Sequence, residues 1–196
     1  MIYLLSYPRS GQHLLKHMLV KCRLNVYVSH EIQLYKEWPL KSNDKLILLV
    51  RDFKECLVSH SYRSNNITVD KRMIDNMFGA KFAKEYRAMQ YIENLVLFDV
   101  AQCSKIVIYY EDMLIHKNHS LFPFVNRNFG DIIFEEASRL DWDKEAEICF
   151  NNYDGVKLSG GKLKHHATRI TDVPYLTHLV KSMNPYIYNK YLTRYE

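Results

Sequence analysis

Long apolar runs, paired cysteines, blocks of like charge and metal-ligand spacings are all missing from this chain of 196 residues. No apolar stretch approaches the roughly 18 residues that cross a bilayer, which excludes a transmembrane helix. The four cysteines, Cys22, Cys56, Cys103 and Cys149, lie far apart and show no C-x-x-C spacing. They are expected to be free buried thiols, with no disulfide framework and no zinc site. His165 and His166 are adjacent, but nothing near them has ligand spacing, so they read as loop residues and no metal is expected. The N-terminus, Met1-Ile2-Tyr3-Leu4-Leu5-Ser6, has no basic n-region and reaches Pro8 and Arg9 too soon for a secretory leader. A cytoplasmic protein is the expectation.

What is present is ordinary globular composition, 47% hydrophobic and 25% charged, so disordered, collagen-like and coiled-coil chains are excluded. The length suits one domain spanning residues 1–196. Lysine and arginine total 27 against 22 acidic residues, a net charge of +5. That surplus suits a phosphorylated small molecule, an anionic membrane or nucleic acid. No basic run of five or more marks a nucleic-acid arm, and none is expected as partner. The fifteen tyrosines read as amphipathic packing residues.

Residues 2–7 form a short β-prone run ended by Pro8-Arg9-Ser10-Gly11. Leu14, Leu15, Met18, Leu19 and Cys22 then recur at helical spacing. Residues 24–29 read as a second strand. Residues 45–50, Lys-Leu-Ile-Leu-Leu-Val, are the strongest strand, continuously apolar after the lysine as in a parallel strand covered on both faces. Asp52-x-x-Glu55 resembles a capping box opening a helix towards Arg63. Residues 72–102 hold one long helix or two, and residues 105–110 a fourth strand. Helical patterns follow at 121–128, at 143–152 and from Pro174, the last after a polar stretch over 154–171. Strands alternating with helices predict an α/β fold, a central parallel sheet in a three-layer α/β/α arrangement.

A strand, a tight Ser-Gly turn and a helix can cradle an anion, because backbone amides and the helix N-terminus converge on one point. The turn Tyr7-Pro8-Arg9-Ser10-Gly11-Gln12-His13 lacks the G-x-x-x-x-G-K-[ST] spacing of a Walker A loop. Arg9 offers a planar fork to phosphate or sulfate oxygens instead. The competing reading is a plain strand-to-helix turn with an exposed arginine. The third strand ends in Arg51, where a magnesium-dependent phosphoryl-transfer enzyme would carry a metal-binding Asp. Ser59 follows eight residues later. Two anion sites without an evident metal site suit a nucleotide phosphorylated at two separate places.

At this point the residues resemble a family. Tyr7-Pro8-Arg9-Ser10-Gly11 is similar to the Tyr-Pro-Lys-Ser-Gly-Thr-Thr loop of sulfotransferases that use 3′-phosphoadenosine 5′-phosphosulfate (PAPS). Val50-Arg51-Asp52 with Ser59 resembles the family's second motif, which holds the donor's 3′-phosphate. Tyr110-Glu111-Asp112-Met113 matches a further segment, and Gly160-Gly161-Lys162 lies near the family's glycine-containing basic loop. The resemblance implies a P-loop nucleotide-kinase-like fold and transfer of a sulfuryl group from PAPS to a hydroxyl or amine, without a metal. It places Arg9, Ser10, Gly11, Gln12 and His13 at the phosphosulfate, and Arg51 and Ser59 at the 3′-phosphate. Gly161 and Lys162, with Lys157 as a further candidate, fall at the closing loop. His30, in Val28-Ser29-His30-Glu31, resembles the base of the cytosolic members; Glu31 and His13 are the alternatives.

Departures from the pattern are Arg9 for lysine, Gln12 and His13 for two threonines, and a C-terminal loop without the Arg-Lys-Gly order. They leave room for a non-catalytic binding module or a degenerate nucleotide kinase. The acceptor, whether small molecule, glycan, lipid or peptide, is not legible in these motifs. If the resemblance holds, the third strand lies beside the first and brings Arg51 to the Arg9 loop.

Overall fold

The structure, a computed structural model, describes residues 1–7, 10–29, 40–63, 68–78, 88–120, 125, 128, 135–152 and 169–196. Strands β1 (Ile2–Ser6), β2 (Val26–Ser29), β3 (Lys45–Val50) and β5 (Ser104–Tyr109) form a parallel sheet in the order β2-β1-β3-β5. Ile2 stands opposite both Val26 and Lys45, and Lys45 opposite Ser104, so the strands start level and end along one edge. The third strand is beside the first, as the sequence argument required.

Period-two alternation divides the strand side chains between two cores. Tyr3, Leu5, Leu46, Leu48 and Val50 pack on α2 (Phe53–Arg63), α4 (Ala88–Val100), α7 (Val173–Met183) and α8 (Pro185–Tyr191), through residues such as Phe53, Leu57, Leu95, Leu176 and Tyr188. Ile2, Leu4, Ile47, Leu49 and Ile108 pack on α1 (Gln12–Lys21), α5 (Tyr110–His116) and α6 (Trp142–Asn152), through Leu15, Met18, Met113 and Trp142. Both faces of β1 and β3 are therefore covered. This is why Ile2–Leu5 and Leu46–Val50 are apolar at every position rather than alternating.

Several boundaries differ from the sequence reading. The second strand begins at Val26, two residues later than expected, and Tyr110 opens α5 instead of closing the fourth strand. Residues 72–102 contain two helices, α3 (Lys71–Phe78) and α4. The final helix is also two. Asp172 caps α7 by accepting from the Tyr175 amide at 3.0 Å, and Asn184 caps α8 by accepting from Ile187 at 3.1 Å. Pro185 follows the second cap, where a proline lacking an N–H starts a helix but cannot continue one. A two-stranded parallel pair, β4 (Thr68–Val69) with β6 (Arg169–Ile170), was not foreseen. Of the pattern expected at 121–128, only residues 125 and 128 are described, both helical. All four cysteines are free, as expected; Cys22, Cys56 and Cys149 are buried, whereas Cys103 is only half-buried. No helix among the described residues is long and apolar enough to cross a membrane.

Lys105, second residue of β5, donates to the carbonyls of Phe98 (2.8 Å), Asp99 (2.7 Å) and Ala101 (2.8 Å). A helix leaves its last four carbonyls without intrahelical donors, and one ammonium serves two of those of α4 together with the Ala101 carbonyl just beyond its end. Lys105→Met keeps most of the stem but removes those donors. It is expected to cost about 1–3 kcal/mol in denaturant unfolding. A change below about 0.5 kcal/mol would show that water serves these carbonyls equally well.

Candidate anion-binding site

After β1 the chain turns sharply, with the Ser10 amide donating to the Tyr7 carbonyl at 3.2 Å. Gly11 follows at φ +87°, the left-handed region, and its carbonyl accepts from Leu14 and Leu15 at 3.1 and 3.3 Å. That bend aims the N-terminus of α1 at the sheet edge, and its first turn carries no acidic residue. Glycine is needed here twice over. A Cβ would meet the positive-φ penalty, and it would overlap the Tyr110 ring, 2.5 Å from Cδ2. Ser10 is fully buried, with its hydroxyl 3.7 Å from the Cys56 sulfur.

Gln12 is turned inward. Its Oε1 accepts from the Ser6 hydroxyl at 2.9 Å, so the side chain braces the loop against the strand end. His13 is exposed. Pro8 and Arg9 lie outside the described residues, as do His30, Glu31, Lys157, Gly161 and Lys162. β2 stops at Ser29, immediately before His30, on the same edge of the sheet.

Arg51 ends β3 at that edge and is buried, 7% exposed. Its guanidinium lies 4.6 Å from the centre of the Tyr110 ring and 3.5 Å from the Glu55 carboxylate. Its carbonyl accepts from the Tyr91 hydroxyl at 2.6 Å. Burial pushes the Cys56 thiol up to about 12 against the pull of Arg51, so it stays protonated and is no nucleophile at neutral pH. Ser59 is half-buried on α2, one turn beyond Glu55 on the same helix face.

The Ser-Gly turn and Arg51 therefore share neighbours, both lying against Tyr110 and both bordering Cys56. They occupy the point where the chain, having built β2 on one side of β1, returns to lay β3 on the other. Open parallel sheets bind ligands at this switch, beyond the carboxyl ends of the strands.

The capping box was only half right. Asp52 Oδ1 accepts from the Lys54 amide at 2.9 Å, as an N-cap side chain does. Its own amide, however, donates to Glu111 Oε1 at 3.1 Å, so Glu111 fills the place expected of Glu55. Burial lifts the Asp52 carboxyl above its ordinary range, while Lys54 opposes the shift. The other Glu111 oxygen accepts from the Tyr195 hydroxyl at 2.8 Å. Beside it, Arg194 clamps Asp112 with two hydrogen bonds of 2.8 and 2.5 Å and holds that carboxyl below its usual range. The Tyr110-Glu111-Asp112 segment thus ties the junction of β3 and α2 to Arg194 and Tyr195. Nothing in local spacing marked those two residues, which lie more than eighty positions away.

No protein-family model matches the chain, and no curated protein matches it.

Gly11→Ala is expected to lose about 1–2 kcal/mol from the left-handed backbone and about 1–3 kcal/mol from overlap with Tyr110. Denaturant unfolding of Gly11→Ala, Tyr110→Ala and the double variant separates the two. Losses less than additive, by about 1 kcal/mol or more, are expected. Additive losses would show that the ring does not restrict this position.

Proposed function

We propose that the chain is a sulfotransferase using PAPS, with a P-loop nucleotide-kinase-like fold. The observation carrying this reading is the junction of the Ser-Gly turn with buried Arg51 on one tyrosine ring, at the switch between β1 and β3. Two anion-attracting features side by side suit a nucleotide charged at two ends. The motif resemblance supplies the identity of that nucleotide.

In this reading the amides of the Ser10-Gly11 turn and the Arg9 guanidinium hold the phosphosulfate. They also stabilise charge growing on the leaving phosphate. Gln12 acts through its main chain, its side chain being engaged with Ser6. Arg51 and Ser59 hold the 3′-phosphate. His30, with Glu31 or His13 as alternatives, takes the proton of the acceptor hydroxyl. The acceptor oxygen bonds to sulfur as the sulfur–oxygen bond to the phosphate breaks, and adenosine 3′,5′-bisphosphate leaves with that electron pair. Gly161, Lys162 and Lys157 are assigned to the donor side by resemblance alone. A second reading, a nucleotide-binding module without turnover, draws on Gln12, whose inward side chain offers the loop no hydroxyl.

Arg51→Met keeps the packing on Tyr110 and removes the charge. Calorimetry should show adenosine 3′,5′-bisphosphate binding weakened roughly ten- to a hundredfold, the worth of about 1.5–3 kcal/mol for a charge-assisted contact. Binding of adenosine 5′-phosphate should change little. Equal losses for both nucleotides would show that Arg51 acts through folding and not at a 3′-phosphate.

A further inference from the structure

Glu55 is left without the role its position predicts. In a capping box it would turn back to the Asp52 amide, but that amide is taken by Glu111 at 3.1 Å. Its carboxylate stands 3.5 Å from Arg51 Nη2, longer than the 2.7–2.9 Å of a direct charge-assisted hydrogen bond. The two partners are unequally placed, with the Arg51 side chain 9% exposed and that of Glu55 46% exposed. The cation is fixed by the strand end and by Tyr110, while the carboxylate is free to rotate into water. Two other acids at this edge are engaged elsewhere among the described residues: Asp52 with Lys54, and Glu111 with the Asp52 amide and Tyr195. Cys56 is a neutral thiol and brings no charge.

We propose that Glu55 is a displaceable counter-ion, seated against Arg51 until an external oxyanion takes its place. The proposal rests on the reading of Arg51 as an anion seat and adds how that seat chooses its ligand. A buried guanidinium is costly without counter-charge, and Glu55 contributes such charge from 3.5 Å away. A monovalent carboxylate ligand brings nothing that the tethered Glu55 lacks. A phosphate monoester brings nearly two charges and three acceptor oxygens, and displaces it. Glu55 thus lowers the affinity of anionic groups that seat on Arg51 and admits the dianionic ones there.

The test compares the wild-type protein with Glu55→Gln and Glu55→Ala, each checked for folding by circular dichroism. At fixed ionic strength, each is titrated with adenosine 3′,5′-bisphosphate, adenosine 5′-phosphate and inorganic sulfate. Both variants should bind the bisphosphate about three- to tenfold more tightly than wild type, with the 5′-phosphate within about twofold. Tighter sulfate binding, with neither nucleotide preferred by any protein, would keep the counter-ion and remove the nucleotide reading. Anion binding equal to or weaker than wild type in both variants would overturn the proposal and make Glu55 a residue that orients Arg51. In that case a retained preference for the bisphosphate would leave the nucleotide reading standing. No binding of any anion to any of the proteins would overturn both.

Discussion

A guanidinium buried at the end of the most apolar strand is the constraint on which this edge of the molecule depends. Removing an ion from water costs several kcal/mol even after relaxation, so its surroundings must compensate. Tyr110 offers its ring at 4.6 Å, an attraction on the order of 2 kcal/mol once water is gone. Glu55 offers a loose counter-charge. The Tyr91 hydroxyl takes the Arg51 carbonyl, which fixes the backbone on which the charge is carried. Tyr110 must lie close to the preceding loop to do its part, and this requires residue 11 to have no side chain.

The rest of the edge keeps those parts in register. Glu111 joins the start of α2 to Tyr195, and burial with the adjacent carboxylate pushes the Tyr195 hydroxyl well up, so it remains a donor. Arg194 stacks 4.2 Å over Tyr109 while it clamps Asp112. The last residues of the chain therefore hold the strand end that carries Tyr110, and through Glu111 the helix start beside Arg51. A change at Tyr195 would reach the candidate site by two hydrogen bonds without touching a ligand.

The sheet was legible because its strands are buried on both faces, which writes unbroken apolar runs such as residues 46–50 into the sequence. The Ser-Gly turn and Arg51 were legible for a related reason: each interrupts such a run with a residue that the core does not want. Less legible were features decided by distant partners. Asp52-x-x-Glu55 has the spacing of a capping box, but Glu111 outcompetes Glu55 from across the edge of the sheet. The two-residue strands β4 and β6 carry too few positions to show a period. Gln12 had the position of a ligand-facing residue, and its hydrogen bond to Ser6 turned it inward. The split at Asn184-Pro185 was available in the sequence as a cap followed by proline.

In the proposed function, this edge recognises a nucleotide by two separate anionic groups and not by a metal-bound triphosphate. Calorimetric titration of the unaltered protein with adenosine 3′,5′-bisphosphate, and separately with ATP and magnesium, tests it most directly. The bisphosphate is expected to bind at least about tenfold more tightly, a difference of about 1.4 kcal/mol or more, and equally well with magnesium removed. Tighter binding of ATP with magnesium, or bisphosphate binding that disappears with the metal, would contradict it.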